Sequence, residues 1–552
     1  MRIFSILSLW LISALFVTCA VKGGLKGGPE DKTPPTIIYS FPQADSTGVH
    51  HLEYIRFSFS EMMDRNSIAK NLFISPPIAH EWEWQGYDEL SIRLLDSLNR
   101  DVTYVLTLGT GLKDLRGNGL EQAYTLAFSS GDHIDHGEIS GRVHGLKPKK
   151  NYTVMAYLLD SLSQNPHFYR DTALYITKTG KKGNFRLTNL KEGLYRVLAV
   201  NDANNNLLAD LPREKIALAQ KDIPVREGRM ADFVSMRPAI QDTNPPAILS
   251  VRAINKRQVS LNSNRTLFPD SLATLSIRDS ASSQKLALFQ WSRAQNALIL
   301  HTAPQDSGAR YVARIAPLRD SLARYTADTS FRFSASRRLL KQSFRIKKRF
   351  PADSARAVHP LTNLYLEFSL PLSAESLRHL KQAVVLRQNG DSVSFQARHD
   401  SPDKLTLTPS APLLGDSSYV LTLDSTLLRD AFGRTLKDSA TQTVFKVNSP
   451  DNFGSLSGRI TTALPPPYVV SITRLDGKKE KRVQSLGGKE FEFLFLEEGR
   501  YRLAAFADSD SNGVYSPGSI KPFRFSETFH MSADTVSIRK RWEKSGIIIP
   551  LP

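Results

Sequence analysis

Oxygen and nitrogen donors gather at only a few places in this sequence, and each gathering suggests a chemistry. Asp508-Ser509-Asp510-Ser511-Asn512-Gly513 sets oxygen donors at alternate positions with glycine sixth. A calcium loop has this form, because the ion takes about six to eight hard oxygens and short Asp and Asn side chains let one loop wrap it. Asp508, Asp510 and Asn512 are therefore the candidate metal ligands, and calcium is the one cofactor the sequence suggests. Asp202-Ala203-Asn204-Asn205-Asn206 is a less charged second copy without the glycine. The bidentate glutamate of an EF-hand's twelfth position is missing from both, where Ser519 and Arg213 stand. Asp, Asn and Gly also favour turns for their own sake. His50-His51-Leu52-Glu53 and His133-Ile134-Asp135-His136-Gly137-Glu138 hold residue types that zinc prefers. The first lies at the start of a strand and the second in a short polar linker, and both read as structural. Trp82, Trp84 and Tyr87 are candidate glycan contacts. Alternation puts the two tryptophans on one face, which suits a sugar platform or a core equally. Arg337-Arg338, Lys341, Arg345 and Lys347-Lys348-Arg349 alternate with Leu339, Leu340, Phe344 and Ile346. That strip predicts a two-faced strand with its basic side toward solvent or toward anionic headgroups and phosphates. The sequence holds no nucleophile elbow, phosphate loop or dinucleotide fingerprint. No carboxylate pair is marked out for acid–base work, so no catalytic residue and no enzyme activity are expected.

What must position these groups is a long chain. At 552 residues it exceeds what one hydrophobic core can serve, so several domains are expected. Apolar residues at 41% and charged residues at 23% fit folded rather than disordered domains. The net charge of +18 favours anionic partners. Arg2 followed by the apolar run Ile3 to Val17 is too short for a membrane span and fits a secretory signal. Export argues against nucleic acid as the partner. Cys19 is the only cysteine, in Leu15-Phe16-Val17-Thr18-Cys19-Ala20. This segment resembles a lipoprotein signal, with Phe16 and Thr18 departing from the usual Leu and small residue. The resemblance implies cleavage before Cys19, acylation of its thiol by diacylglycerol and palmitate, and anchorage in a membrane. Ala20 resembles the outer-membrane sorting signal of Gram-negative lipoproteins. The segment from Val21 to Glu30, with four glycines, reads as a tether.

Repeats carry the domain organisation. Phe41-Pro42-Gln43-Ala44-Asp45-Ser46 recurs as Phe350-Pro351-Ala352-Asp353-Ser354, each leading into an alternating strand. Tyr104-Val105-Leu106-Thr107-Leu108 recurs as Tyr419-Val420-Leu421-Thr422-Leu423, and more loosely as Tyr311-Val312-Ala313-Arg314-Ile315. An aspartate in a polar loop follows each: Asp114, Asp430 and Asp320. With Thr33-Pro34-Pro35, Phe59-Ser60-Glu61-Met62-Met63-Asp64 and Lys113-Asp114-Leu115-Arg116-Gly117-Asn118, these segments resemble the bacterial Ig-like family of S-layer and other envelope proteins. That resemblance implies a β-sandwich used as spacer or adhesive surface. A second unit repeats as Gly137-Glu138-Ile139-Ser140-Gly141-Arg142-Val143 and Gly454-Ser455-Leu456-Ser457-Gly458-Arg459-Ile460. It continues with Phe185-Arg186-Leu187 and Phe491-Glu492-Phe493, then with turns at Gly193 and Gly499. Ala231-Asp232-Phe233-Val234-Ser235 and Ala533-Asp534-Thr535-Val536-Ser537 match as closing strands. The unit resembles the transthyretin-like (prealbumin-like) domain that accompanies metallocarboxypeptidases, which implies a hairpin glycine in left-handed conformation at Gly193 and Gly499.

The expected fold class is all-β, a multidomain string of β-sandwiches. The expected order is a signal peptide 1–18, tether 19–33, Ig-like domain 34–131, transthyretin-like domain 136–238, degenerate Ig-like domain 244–335, Ig-like domain 349–447, transthyretin-like domain 453–541 and C-terminal tail 542–552. The expected role is a non-enzymatic, lipid-anchored spacer or interaction scaffold of the cell envelope, with an envelope protein as partner. A glycan- or peptidoglycan-binding accessory lipoprotein is the alternative.

Overall fold

Alternating apolar residues can bury one face of a strand only if a second sheet covers it, and the chain solves this repeatedly. A computed structural model describes residues 31–146, 151–160, 164–180, 182–227, 229, 231–322, 324–437, 441–477 and 480–552. Cys19, with the expected signal peptide and most of the tether, lies outside the described residues. The fold is all-β and multidomain, built among the described residues of β-sandwiches around five hydrophobic cores. Two compact units, Met1–Ile240 and Gln241–Pro552, divide the chain.

In the first unit, strands Ile37–Phe41, Tyr54–Phe59, Glu89–Leu94 and His80–Gln85 form one sheet in that order. It faces Leu72–Ser75, Thr103–Leu108 and Tyr124–Ser129 across a core that includes Phe57, Ile92, Leu106 and Phe128. A second sandwich sets Asn184–Leu190, Gly137–Val143 and Val234–Met236 against a sheet whose centre is Thr153–Leu159 and Gly193–Val200.

The second unit holds three sandwiches. Its first, with core residues from Ile248 to Phe333, orders Ile248–Asn255, Gln258–Ser263, Ala297–Thr302 and Leu288–Ala294 as the opening sandwich of the chain does. The next repeats that order with Ile346–Phe350, Leu364–Phe368, Lys404–Pro409 and Phe395–Ser401. The last sets Glu490–Glu497, Phe453–Thr461 and Glu543–Pro550 against Lys481–Leu486, Tyr468–Arg474, Gly499–Ala507 and Phe529–Ile538.

The repeated tyrosine and aspartate have a common physical role. The hydroxyls of Tyr104, Tyr311 and Tyr419 accept the backbone N–H of Asn99, Asp306 and Leu414 at 2.9, 3.0 and 2.7 Å. Their rings stack on Phe128, Phe333 and Phe445 at 5.7, 5.7 and 5.5 Å. Each aspartate is buried and holds its loop by two amides. Arg116 and Asn118 donate to Asp114, both at 2.8 Å. Leu322 and Arg324 do so to Asp320 at 2.8 and 2.9 Å. Phe432 and Arg434 do so to Asp430, both at 2.9 Å. The same i+4 side chain then reaches the segment that leads into its sandwich. Asn118 Nδ2 donates to the Asp31 carbonyl, Arg324 Nη1 to that of Asp242 and Arg434 Nη1 to that of Gln342, at 3.1, 2.9 and 2.9 Å. One loop thus ties three stretches of chain together.

Three expectations are corrected. Residues 542–552 are not a tail, because Glu543–Pro550 is a strand lying parallel to Phe453–Thr461. Its polar first half hides the strand, which only Ile547, Ile548 and Ile549 signal. The matched closing segments are not equivalent: Val234–Met236 runs parallel to Gly137–Val143, whereas Phe529–Ile538 pairs antiparallel with Gly499–Ala507. For Gly193 the expectation fails, since it has no positive φ, whereas Gly499 has φ 159°; the residues in the left-handed region beside the two turns are Asn189 (φ 57°) and Phe495 (φ 53°). A Cβ at Gly193 would stand 2.6 Å from Leu158 Cδ1, the end of a side chain that can turn aside. Gly141 and Gly458 are needed for room. A Cβ would strike the carbonyl of Val234 or Ile547 and the ring of Phe185 or Phe491.

Removing a buried, fully bonded carboxylate leaves two backbone amides and an arginine without their acceptor. Asp430→Ala is expected to destabilise its sandwich by about 3 kcal/mol in denaturant unfolding. Asp391→Ala, on an exposed two-residue strand, is expected to stay within about 0.5 kcal/mol.

Candidate metal centre

The acidic loop comes directly after the strand Gly499–Ala507. Its first residue, Asp508, is buried and organises the rest of the loop: Oδ1 accepts the Asn512 N–H at 3.0 Å and Oδ2 the Gly513 N–H at 2.8 Å. Gly513 sits at φ +73°, where a side chain would be strained. Asp510 accepts from Asn512 Nδ2 at 2.7 Å and from Ser516 Oγ at 2.9 Å. The third acid is Glu527, just ahead of strand Phe529–Ile538. Its two oxygens accept the N–H groups of Ser509 and Ser516, both at 2.8 Å, closing the loop from the other side. Carboxylate oxygens of Asp508, Asp510 and Glu527 lie within 4.8 Å of one another. Among the described residues no other group of three or more Asp, Glu, His or Cys donors comes so close. Burial raises the Glu527 pKa above its ordinary value, and like charge from Asp510 adds to the rise, against the hydrogen bonds from Ser516 and Ser509.

The structure therefore brings two of the three predicted ligands together and adds Glu527. Asn512 bridges the loop instead, donating to Asp510 while its own oxygen accepts the Val514 N–H at 2.6 Å. The donor set is all oxygen and carries three acids, which suits calcium or magnesium rather than zinc. The first copy is built the same way. Asp202 accepts the Asn206 and Leu207 amides, both at 3.2 Å, while Asp210 accepts from Asn204 Nδ2 and Asn206 Nδ2 at 2.7 and 3.1 Å. Buried Glu214 accepts the Ala203 and Asp210 amides at 2.8 and 3.1 Å. Loop spacing misses Glu214 and Glu527, because neither stands at the EF-hand position. Their signal is an acid placed just before the next main strand in both copies.

Other candidates fall apart spatially. His50, His51 and Glu53 are not brought together with a further ligand, and His51 and Glu53 are exposed. His133 lies 3.3 Å from Asp132, and Glu138 forms a two-point pair with Arg186 at 2.7 and 2.6 Å. Trp84 packs on Phe59 at 5.7 Å and joins the core, whereas Trp82 is 40% exposed on the edge strand His80–Gln85. Tyr87 is exposed with the Arg65 guanidinium 4.2 Å from its ring. In the basic strip Phe344 is buried while Arg338, Lys341, Lys347 and Lys348 face solvent.

With tyrosine, aspartate loop and sheet order in place, the comparison with known families is direct. Residues 31–130 and 341–447 match the bacterial Ig-like domain family. The sandwich with core residues from Ile248 to Phe333 shares the sheet order and the tyrosine and aspartate bonds of these two domains. A comparison with curated proteins gives no match. Among solved structures the chain is similar to the N-terminal part of a bacterial S-layer protein at 10% identity, covering 37% of this chain and 45% of that one, TM-score 0.17. It is similar to an L,D-transpeptidase from Mycobacterium smegmatis at 12% identity, covering 38% and 90%, TM-score 0.18. It is also similar to immunoglobulin domains 1–4 of sidekick-1 at 10% identity, covering 75% and 96%, TM-score 0.18. The chain thus spans less than half of the S-layer piece.

A carboxyl whose pKa is raised on folding stabilises the fold most below its unfolded value and loses that contribution as pH climbs through the native one. In metal-free buffer the stability of wild type minus that of Glu527→Gln should fall as pH rises from about 4.5 to 7. Denaturant midpoints at the two pH values measure it, and a difference that grows with pH contradicts the assignment.

Proposed function

We propose that this chain is a non-enzymatic, lipid-anchored protein of a Gram-negative outer membrane that serves as spacer and interaction scaffold for another envelope protein. The observation that carries the reading is the double match to bacterial Ig-like domains, a family resemblance that extends to envelope proteins. Cys19 is the acylation site, and the sandwiches run Ig-like, transthyretin-like, Ig-like, Ig-like, transthyretin-like. Partners are then met by loops and strand edges, where recognition uses shape and backbone pairing.

Anchoring is tested by fractionation. Wild type should sediment with membranes and yield an N-terminal peptide bearing diacylglycerol and fatty acid on Cys19 by mass spectrometry. Cys19→Ser should appear in the soluble fraction, and a variant that stays membrane-bound contradicts the anchor.

Calcium is proposed to close the loop of Asp508, Asp510 and Glu527, with structural effect only. Adding calcium at about 100 times its Kd should stabilise the last sandwich by about 2.7 kcal/mol relative to chelator. Asp510→Asn should abolish that shift, and an unchanged melting curve for wild type removes the metal. The glycan reading is favoured by one observation, exposed Trp82 and exposed Tyr87 on the same hairpin. If it holds, Trp82→Ala should lose peptidoglycan pull-down without loss of folding.

A further inference from the structure

A side chain on the outer face of a sandwich sheet is normally wet, so one that is dry there has been covered by something else. His301 is such a residue. Leu298 and Leu300 of the strand Ala297–Thr302 enter the core of the middle sandwich, so alternation turns His301 outward, yet it is 1% exposed. Its cross-strand partners Gln258 and Gln290 are buried with it.

The cover comes from the sandwich that follows. Phe432, in the loop held by buried Asp430, sets its ring 5.9 Å from the His301 ring and 6.2 Å from Phe289, edge to face. Arg257 of the middle sandwich and Arg434 of the next lie 5.2 and 5.3 Å from the centre of the same ring. The chain between the two sandwiches, residues 335–345, has neither helix nor strand. On one side the Lys256 N–H holds the Arg338 carbonyl at 2.8 Å, and on the other Arg434 Nη1 holds that of Gln342 at 2.9 Å. Leu339 between them is 70% exposed, which leaves residues 339–341 as the pivot.

The covered imidazole is poorly served by its cover. Ser292 Oγ meets its Nε2 at 2.9 Å, whereas Nδ1 is buried without a hydrogen-bond partner. A protonated ring would place a second cation in the dry joint beside Arg434. Burial first, and then the charge of Arg434, push the His301 pKa down to about 3. The acids at this joint do not answer the ring. Asp430 is paired with Arg434 at 2.7 Å, and Asp403 lines a groove with Arg293. Burial raises the Asp403 pKa above its ordinary value.

We propose that Phe432 is a latch that seats its sandwich on the middle one, and that a proton taken up by His301 releases it, so that acid frees the joint at residues 339–341. In the open joint the ring is wet and its ordinary pKa of about 6.5 applies, so the open form gains as pH falls below that value. Asp403 acts in the opposite sense, because a carboxyl raised in the closed joint favours that joint in acid. From about pH 7.5 to about pH 5 the His301 contribution multiplies the ratio of open to closed chains about 30-fold.

The full chain with Cys19→Ser carries dyes at Gln284→Cys and Asp391→Cys, exposed positions on the two sandwiches, and single-molecule energy transfer reads their separation. This parent should show one narrow population at about pH 7.5 and a second, broad one at about pH 5. Phe432→Ala should show the broad population at both pH values. His301→Gln should gain none of it in acid, and Asp403→Asn should gain more than the parent. The proposal is overturned if neither the parent nor Asp403→Asn opens in acid, if His301→Gln opens as the parent does, or if Phe432→Ala stays narrow throughout. The joint belongs to the folded chain, so none of these results bears on Cys19 acylation, which the fractionation test decides separately.

Discussion

A buried carboxylate that accepts two amides of its own loop is the interaction on which three of the sandwiches depend. Asp114, Asp320 and Asp430 cannot be left unpaired where they lie, so the loop must present its N–H groups to them. Once the loop is held, the residue four positions on is fixed as well, and its side chain catches the segment leading into the sandwich. The Arg265 and Arg324 guanidiniums at that place in the middle sandwich hold the Asp242 carboxyl far below its usual range. Tyrosine does the complementary work, fixing the turn ahead of its strand while its ring fills the core.

These constraints explain which parts of the molecule can be read from letters. A hydrogen bond from a buried side chain to backbone needs one residue type at one position, so Tyr104, Tyr311 and Tyr419 and their aspartates stand out as repeats. The glycines at Gly141 and Gly458 stand out because a carbonyl and a ring leave no room for a Cβ. The strand Glu543–Pro550 does not, because little of its surface is buried and it pairs with one neighbour only, so few of its positions are constrained. The third acid of the acidic loop is hidden for another reason. Glu527 comes from a different stretch of chain and meets Asp508 only through the fold, so no local spacing announces it.

The same economy of roles links structure to function. Polar side chains that look chemical by spacing hold turns, cap loops or face water. Basic residues are displayed outward along the strand Ile346–Phe350 while Phe344 anchors it, which keeps a positive surface without burying charge. Two acidic loops occupy equivalent places in the second and last sandwiches, so whatever rigidity a cation supplies would act on the same strand junction in each.

Amide hydrogen exchange read by mass spectrometry tests the central claim most directly, because loops normally exchange freely unless their amides are bonded. The amides of Arg116, Asn118, Leu322, Arg324, Phe432 and Arg434 should be protected as strongly as the strands on either side. Exchange of these six at the rate of open loops would mean that the buried aspartates do not organise the sandwiches.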